Sequence, residues 1–145
     1  MGGYVALLST YSLGATLVAA ILRSRAKEMS PLSVRQLVLL ALATQHLSRL
    51  IAKDSITAPL RSPLTRFVKA TGEGEVDEEV IAKGLGHAVG ELVSCPYCLA
   101  QWIATGLVAG SVAAPNLTEA LTTICALARV SDWLQLAYDR LKGDA

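Results

Sequence analysis

The chain has 145 residues, of which 52% are hydrophobic and only 17% are charged. Soluble domains carry about 25% charged residues, and the mean hydropathy of +0.45 likewise favours lipid as the solvent for much of the chain. The net charge of +1 argues against a nucleic-acid partner, which needs a clustered basic face. Three cysteines are an odd number, which argues against a disulfide scaffold.

The first long apolar run occupies residues 4–22 and contains no charged residue. About 20 such residues are enough to cross the hydrocarbon core of a bilayer. Arg23, Arg25 and Lys27 follow this run, whereas a cleaved signal peptide carries its positive charge before the apolar region. We therefore predict a retained anchor helix over residues 4–22, with its N-terminus outside and Arg23 in the cytoplasm, as the positive-inside rule indicates.

A second helix is predicted to start with Ser30 as its N-cap and Pro31 as its first helical residue, and to end near Lys53. Its first half is apolar, but its second half contains Gln45 and Arg49. A charge at the bilayer centre costs about 2.5–3.5 kcal/mol. The sequence therefore leaves open whether this helix spans the bilayer, lies in the interface or enters only part of the way.

Two interpretations of Arg49 remain open. Its long side chain can reach the lipid headgroups, or it can pair with Asp54 or Glu91 inside the fold. In the second case, Arg49, Asp54, Arg61 and Glu91 would form one buried network that joins two distant parts of the sequence.

The middle of the chain is predicted to have three parts. Two prolines prevent a continuous helix, so residues 57–71 are interpreted as a basic stretch, either at the membrane interface or in a solvated loop. Residues 72–79 are predicted to form an exposed acidic turn. Asp77 is then predicted to cap a helix over residues 78–93.

Residues 99–114 form the next apolar run. Within it, Gly106, Gly110 and Ala114 are four residues apart, a spacing of small residues that suits close helix contact in lipid. We predict that this face contacts a neighbouring helix, either in the same chain or in another membrane subunit.

A final helix is predicted from Thr118 to about Leu141. Arg129 and Asp132 lie one turn apart on it, and within a membrane such a pair should face protein rather than lipid. Aromatic residues near its end, Trp133 among them, suit the membrane interface.

Cys95 and Cys98 flank Pro96-Tyr97 just before the third apolar run. A thiol–disulfide reaction is one interpretation, because a cysteine at a helix N-terminus is a common reactive site. Against it, no βαβ pattern surrounds the motif and no second cysteine pair is present. The leading interpretation is architectural: Pro96 bends the entry to the helix, and the cysteines pack as small apolar groups.

A zinc site is the third interpretation of the cysteine pair. Cys95 and Cys98 have the spacing of two zinc ligands, and His87 and His46 are the only histidines that could complete a tetrahedral set. A zinc ion shared between two chains is a further alternative. Without a second CxxC, no cofactor is expected, with zinc as the alternative.

Two blocks of sequence resemble a small bacterial family catalogued as domain of unknown function 1360. The first block is Leu47-Ser48-Arg49-Leu50-Ile51 with Asp54, Ile56, Pro59, Leu60 and Arg61, and the second is Gly90-Glu91-Leu92 with Cys95-Pro96-Tyr97-Cys98-Leu99 and Trp102. The resemblance runs from about Leu40 to about Asp132. This chain departs from the usual pattern at Ala100 and Gln101. The resemblance implies a small bacterial membrane protein and implies no activity.

We therefore predict a single all-α domain over residues 1–145: a small polytopic protein of the bacterial cell membrane, with three or four transmembrane helices plus interfacial helices. Three spans are preferred, with everything from Arg23 to Tyr97 in the cytoplasm; four spans are the alternative. The lipid bilayer and other membrane subunits are the expected partners. The expected role is a non-enzymatic scaffold or subunit of a larger assembly. A thiol–disulfide or zinc-dependent membrane protein is the alternative.

Overall fold

A computed structural model describes residues 1–25 and 31–143. Within these ranges the chain forms six helices and one β-hairpin. In chain order the elements are α1 (Gly2–Ser24), α2 (Val34–Ala52), a 3₁₀ turn (Ser55–Thr57), α3 (Ala58–Arg61), β1 (Thr65–Gly72), β2 (Glu75–Val80), α4 (Leu85–Ser94), α5 (Pro96–Ala113) and α6 (Pro115–Gly143). The prediction of a mostly helical protein is confirmed, but the all-α prediction is wrong because of the hairpin.

The hairpin replaces the predicted interfacial stretch, acidic turn and first part of a helix. β1 pairs with β2 antiparallel, from Thr65 opposite Val80 to Gly72 opposite Glu75. Gly72 and Gly74 take positive φ angles of 99° and 82°, which a glycine adopts at little cost in a tight turn. Val76, Glu78 and Val80 are two residues apart and share one face of β2, on which Val76 is buried and the Glu78 side chain is only 6% exposed. Asp77 therefore lies in a strand and caps no helix.

Helix α2 begins at Val34, with Ser33 as its N-cap, instead of at Pro31. The Ser33 side chain accepts a hydrogen bond from the backbone N–H of Gln36, and the Gln36 side chain accepts one from the backbone N–H of Ser33. This reciprocal capping box fixes the start of the helix. The predicted cap, Ser30, lies outside the described residues.

Helices α1 and α5 lie side by side and run in the same direction. Near the start of α1, the hydroxyl of Tyr4 donates a 2.5 Å hydrogen bond to Glu91 at the end of α4. Further along α1, the hydroxyl of Tyr11 lies 3.2 Å from the hydroxyl of Thr105. The ring centroid of Tyr11 is 5.2 Å from that of Trp102. The three-span arrangement requires these two helices to cross the bilayer in opposite directions. The structure does not fit that arrangement.

Helices α2 and α6 also run parallel to each other. Arg35 pairs with Glu119 at 2.9 Å near their N-termini, and His46 lies 3.9 Å from Asp132 further along both helices. Since α5 and α6 are joined by a tight turn at Ala114, the pair α2 and α6 runs opposite to α1 and α5. One end of the bundle, here called the hairpin end, therefore carries the chain N-terminus, the hairpin and the CxxC. The opposite end is called the turn end.

Most of the large apolar side chains lie on the outside of this bundle, and most of the buried apolar side chains are small. The buried apolar residues are Ala43, Ala52, Val76, Ala88, Leu107, Cys125 and Ala126. No residue of α1 is buried. On α6 the buried positions are Thr118, Thr122, Cys125, Ala126 and Arg129. Its exposed positions include Leu117, Leu121, Ile124, Leu127, Val130, Leu134, Tyr138 and Leu141.

Within the described residues, α1 is the one single helix long and apolar enough to cross a membrane. Taken together, helices α4 and α5 are also long and apolar enough to cross a membrane, although the chain bends by 85° between them. The structure thus supports one or two candidate spans by length and composition. An N-terminal apolar helix of this kind is also what a signal sequence forms.

Two glycines lie where a helix packs closely against a neighbouring element. A Cβ added at Gly90 of α4 would lie 2.7 Å from Cγ1 of Val80 in β2, so α4 packs directly onto the hairpin there. Gly110 approaches Thr118 of α6 in the same way, so one member of the predicted small-residue line is used within the chain. Gly106 of the same line has no neighbour within 4 Å of such a Cβ.

We expect Gly90→Ala to lower stability and Gly106→Ala to leave it unchanged or raise it. Alanine favours a helix over glycine by about 1 kcal/mol at both positions. At Gly90 the added methyl group meets the stiff Val80 side chain, and overpacking of this kind costs about 1–3 kcal/mol. Thermal unfolding in detergent should therefore show a lower transition for Gly90→Ala and an equal or higher one for Gly106→Ala. A rise in both variants would show that α4 does not pack closely on β2.

Candidate functional site

A buried ion pair joins the end of α2, α3 and the hairpin. The guanidinium of Arg61, 2% exposed, donates a 2.7 Å hydrogen bond to the carboxylate of Glu78, which is 6% exposed. It also donates to the carbonyls of Ile51 at 2.5 Å and Asp54 at 3.1 Å, and to the hydroxyl of Thr57 at 2.7 Å. A buried charge is tolerated when it is paired and its donors are satisfied, and Arg61 meets both conditions.

A second, more exposed layer of ion pairs continues from α2 to β2. Nη2 of Arg49 donates hydrogen bonds to both carboxylate oxygens of Glu75, at 2.7 and 2.5 Å. Nζ of Lys53 lies 3.2 Å from Oδ1 of Asp77. The backbone N–H of Val76 donates to the carbonyl of Lys53 at 2.9 Å. A backbone hydrogen bond and two ion pairs therefore connect β2 to the C-terminal end of α2.

The predicted network of Arg49, Asp54, Arg61 and Glu91 forms only in part. Arg49, Asp54 and Arg61 do lie together, but Arg49 pairs with Glu75 and not with Asp54 or Glu91. The carboxylate of Asp54 accepts a hydrogen bond from the backbone N–H of Ile56 and caps the 3₁₀ turn. The sequence pattern does not indicate the acidic partners, Glu75 and Glu78, because it predicts an exposed turn over residues 72–79.

Glu91 belongs to a different cluster, at the junction of α1 and α4. It accepts the hydrogen bond from Tyr4, and its other oxygen lies 3.3 Å from Nε2 of His87, one helical turn earlier. Both His87 and Glu91 are about half exposed. The family-like Gly90-Glu91-Leu92 block therefore connects α1 to α4 and does not join the Arg61 network.

The predicted pair on the final helix lies beside α2. Nη1 of Arg129 is 3.5 Å from Asp132, and the same carboxylate lies 3.9 Å from Nδ1 of His46. Among the described residues, Gln45 Oε1, His46 Nδ1 and Arg129 Nε are buried atoms without a hydrogen-bond partner. These residues line an open polar cleft of about 560 Å³ between α2, α6 and the hairpin turn.

The CxxC forms the first turn of α5 at the hairpin end. Cys95 is the N-cap, and its Sγ accepts a 3.2 Å hydrogen bond from the backbone N–H of Cys98. Pro96 occupies the first helical position, as expected for a residue without an N–H. Cys98 and Tyr97 are exposed and Cys95 is half-buried, whereas Cys125 lies buried in α6.

The four residues proposed as zinc ligands do not form one site. His46 lies beside Asp132 on the α2–α6 side, while His87 contacts Glu91. Across residues 1–25 and 31–143, no three His, Cys, Asp or Glu side chains are grouped to hold one metal ion. Cys95 and Cys98 are thus brought together as a pair and not with the two histidines.

We expect Arg61→Ala to lower the free energy of unfolding by about 3–5 kcal/mol, because it leaves Glu78 buried without its partner. Arg66→Ala is the matched control: Arg66 also pairs with a glutamate of β2, but that pair is largely exposed and should contribute under about 0.5 kcal/mol. Chemical unfolding in detergent measures both. Replacing the pair together, as Arg61→Met with Glu78→Met, should recover part of the loss. Equal small effects of the two alanine variants would contradict the role assigned to Arg61.

Comparison with known proteins places these contacts in a family context. The sequence is 34% identical over 110 residues to "Sporulation protein YjcA" of Bacillus subtilis (strain 168), an alignment that covers 68% of this chain and 93% of the relative. No solved structure matches.

A family model described as "Protein of unknown function (DUF1360)" matches residues 39–138, a range that contains the Arg61 network, the hairpin, the CxxC and most of α6. The family expectation drawn from the two sequence blocks is confirmed, and the chain belongs to the DUF1360 family.

Proposed function

We propose that this protein is a multi-pass protein of the bacterial cell membrane, a non-enzymatic subunit or scaffold of a larger assembly, with α1, α2, α5 and α6 as its four spans. The observation that carries the proposal is the burial pattern. Most large apolar side chains face outward and mainly small residues pack inside, as in α6, where Leu121 and Ile124 are exposed while Thr122 and Cys125 are buried. Without a hydrophobic force between helices in lipid, small residues allow the close contact that holds them together.

The polar groups of α2 support a spanning position for this helix. Gln45 and His46 face the cleft toward α6, where Arg129 and Asp132 lie. Polar residues inside a membrane face protein or a water-filled cavity. Arg49 is held by Glu75 of the hairpin, so its charge is neutralised at the hairpin end.

The orientation follows from the parallel α1 and α5, which put the chain N-terminus and the CxxC on one side. Among the described residues, the turn end carries Arg23, Arg25 and Arg35 in or near its loops. The hairpin end carries Lys53, Arg61, Arg66, Lys69, Lys83, Arg140 and Lys142. Since the side richer in Lys and Arg stays in the cytoplasm, we place the hairpin end and the N-terminus inside. This orientation reverses the one expected from Arg23 alone.

A role as a subunit is supported by apolar residues outside the bundle. Between residues 55 and 82, in and beside the hairpin, five large apolar side chains are more than half exposed: Ile56, Leu60, Phe67, Val68 and Ile81. We call them the hairpin patch. Apolar surface on a part of the chain outside the lipid is typical of a contact with another protein. The relative is named a sporulation protein, so in a spore-forming organism a membrane assembly made during sporulation is the first place to seek that partner.

The small-residue line on α5 is a second candidate contact. Gly106 has open space around it, so a helix of another subunit could approach there. Gly110 is already in contact with Thr118, which shortens the available face. The hairpin patch is therefore the surface on which the assembly is best tested.

The four-span topology predicts which positions an impermeant maleimide reaches in intact cells. In a background with all three cysteines changed to serine, Asn116→Cys at the turn end should be labelled at once. Thr71→Cys in the hairpin should be labelled only after the membrane is permeabilised. Carbonate washing should leave both variants in the membrane fraction. Labelling of Thr71→Cys from outside would reverse the orientation, and release by carbonate would refute the membrane placement.

The proposed assembly predicts a particle larger than one chain when membranes are extracted with a polymer that keeps the surrounding lipid. Phe67→Asp should shift the protein toward the size of a single chain, since removing a central aromatic residue from an interface typically costs at least about 1 kcal/mol, or about fivefold in affinity. Thr71→Asp, on the same strand and equally outside the core, is the matched control. A wild-type protein of single-chain size would contradict the subunit role and leave the membrane placement intact.

A further inference from the structure

The two thiols of the CxxC are accessible and isolated from other thiols. Cys98 is exposed, Cys95 is half-buried, and the intervening Tyr97 is 84% exposed, so a small reagent reaches the pair from solvent. Cys125 is buried within the helix bundle, where it packs with Ala43 and Leu107. Within the chain, Cys95 and Cys98 therefore have only each other as reaction partners.

The backbone already holds these two thiols in one helical turn. The 3.2 Å hydrogen bond from the N–H of Cys98 to Sγ of Cys95 places that sulfur directly over the first turn of α5. Two cysteines can be bridged when their Cα atoms lie within about 7 Å, and residues three apart in a helical turn satisfy this limit, because the axial rise is about 1.5 Å per residue. The Cα separation within this turn therefore permits a disulfide between them.

We propose that Cys95 and Cys98 form a reversible redox site that exchanges with small disulfides of the oxidised-glutathione class. One cysteine thiolate attacks the small disulfide, forms a mixed disulfide and releases one small thiol. The other cysteine thiolate then attacks the protein sulfur of that mixed disulfide and releases the second small thiol. Overall, the protein dithiol is oxidised to a disulfide, and one small disulfide is reduced to two thiols. The proposal does not depend on the membrane orientation or on the hairpin patch.

The site lies where the chain bends by 85° between α4 and α5. On one side of the bend, Gly90 of α4 packs on Val80 of the hairpin. On the other side, α5 packs in the helix bundle. A disulfide across Pro96 and Tyr97 would fix the first turn of α5 and thereby link the redox state to the connection between hairpin and bundle.

The test uses the full chain in detergent, incubated with a fixed excess of oxidised glutathione. The protein is then denatured and treated with a maleimide polymer, which adds a visible mass to each free thiol. The reduced protein should show three modified thiols, the number of cysteines in the chain, and the oxidised protein only one. Excess reduced glutathione should restore all three. Cys125→Ser should lose two modified thiols on oxidation, as the wild type does.

The single variants Cys95→Ser and Cys98→Ser should instead stop at a mixed disulfide and keep one bound glutathione, detected by intact mass. This result distinguishes a reacting pair from two independent surface thiols. If the wild type also keeps bound glutathione, or if it forms only disulfides between chains, the intramolecular site is refuted. The proposal is also refuted if the pair stays reduced in excess oxidised glutathione while an alkylating reagent modifies Cys98 freely.

Discussion

The ion pair between Arg61 and Glu78 determines how the hairpin can be arranged. Burying two charges is costly, and the cost is offset only when their geometry is good and their remaining donors are satisfied. Arg61 meets this requirement through three oxygens of the α2–α3 connection. A slip of β2 by one residue would turn Glu78 to the other face of the strand and leave Arg61 buried without a partner. The pair therefore fixes the register of the hairpin as well as its position.

This polar contact is needed because the hairpin has little apolar core of its own. A two-stranded hairpin is marginally stable alone, and most of β1 is exposed. The Arg49–Glu75 contact and the backbone hydrogen bond from Val76 to Lys53 add a second attachment to α2. The helix bundle differs: apart from Leu107, its buried apolar side chains are small, and most of its large apolar side chains are exposed. The two halves of the chain thus use different interactions to stay together.

Much of the helical part could be predicted from the sequence because long apolar runs and N-capping residues are local signals. The hairpin could not, since charged residues interrupt both strands, and the two apolar residues of β2, Val76 and Val80, are four apart, a spacing that fits one face of a helix as well as of a strand. Because the sequence predicts no strand over residues 75–80, it does not indicate Glu75 as the partner of Arg49 or Glu78 as the partner of Arg61. The direction of α1 relative to α5 depends on contacts between Tyr4 or Tyr11 and residues far along the chain, which no local pattern records. The proximity of Cys95 and Cys98 is predictable because a CxxC is a signal contained within four residues.

The contacts of α1 have a consequence for the order of events during synthesis. Tyr4 and Glu91 are 87 residues apart, and Tyr11 and Thr105 are 94 residues apart. At a translation rate of about 5–20 residues per second, α1 leaves the ribosome roughly 5–20 s before the residues that it contacts. During that interval Tyr4 and Tyr11 have no native partner, while α2 and the hairpin are still being made. Helix α1 therefore makes its native contacts only after this delay. A chain released before α5 is complete would leave this apolar helix without those contacts.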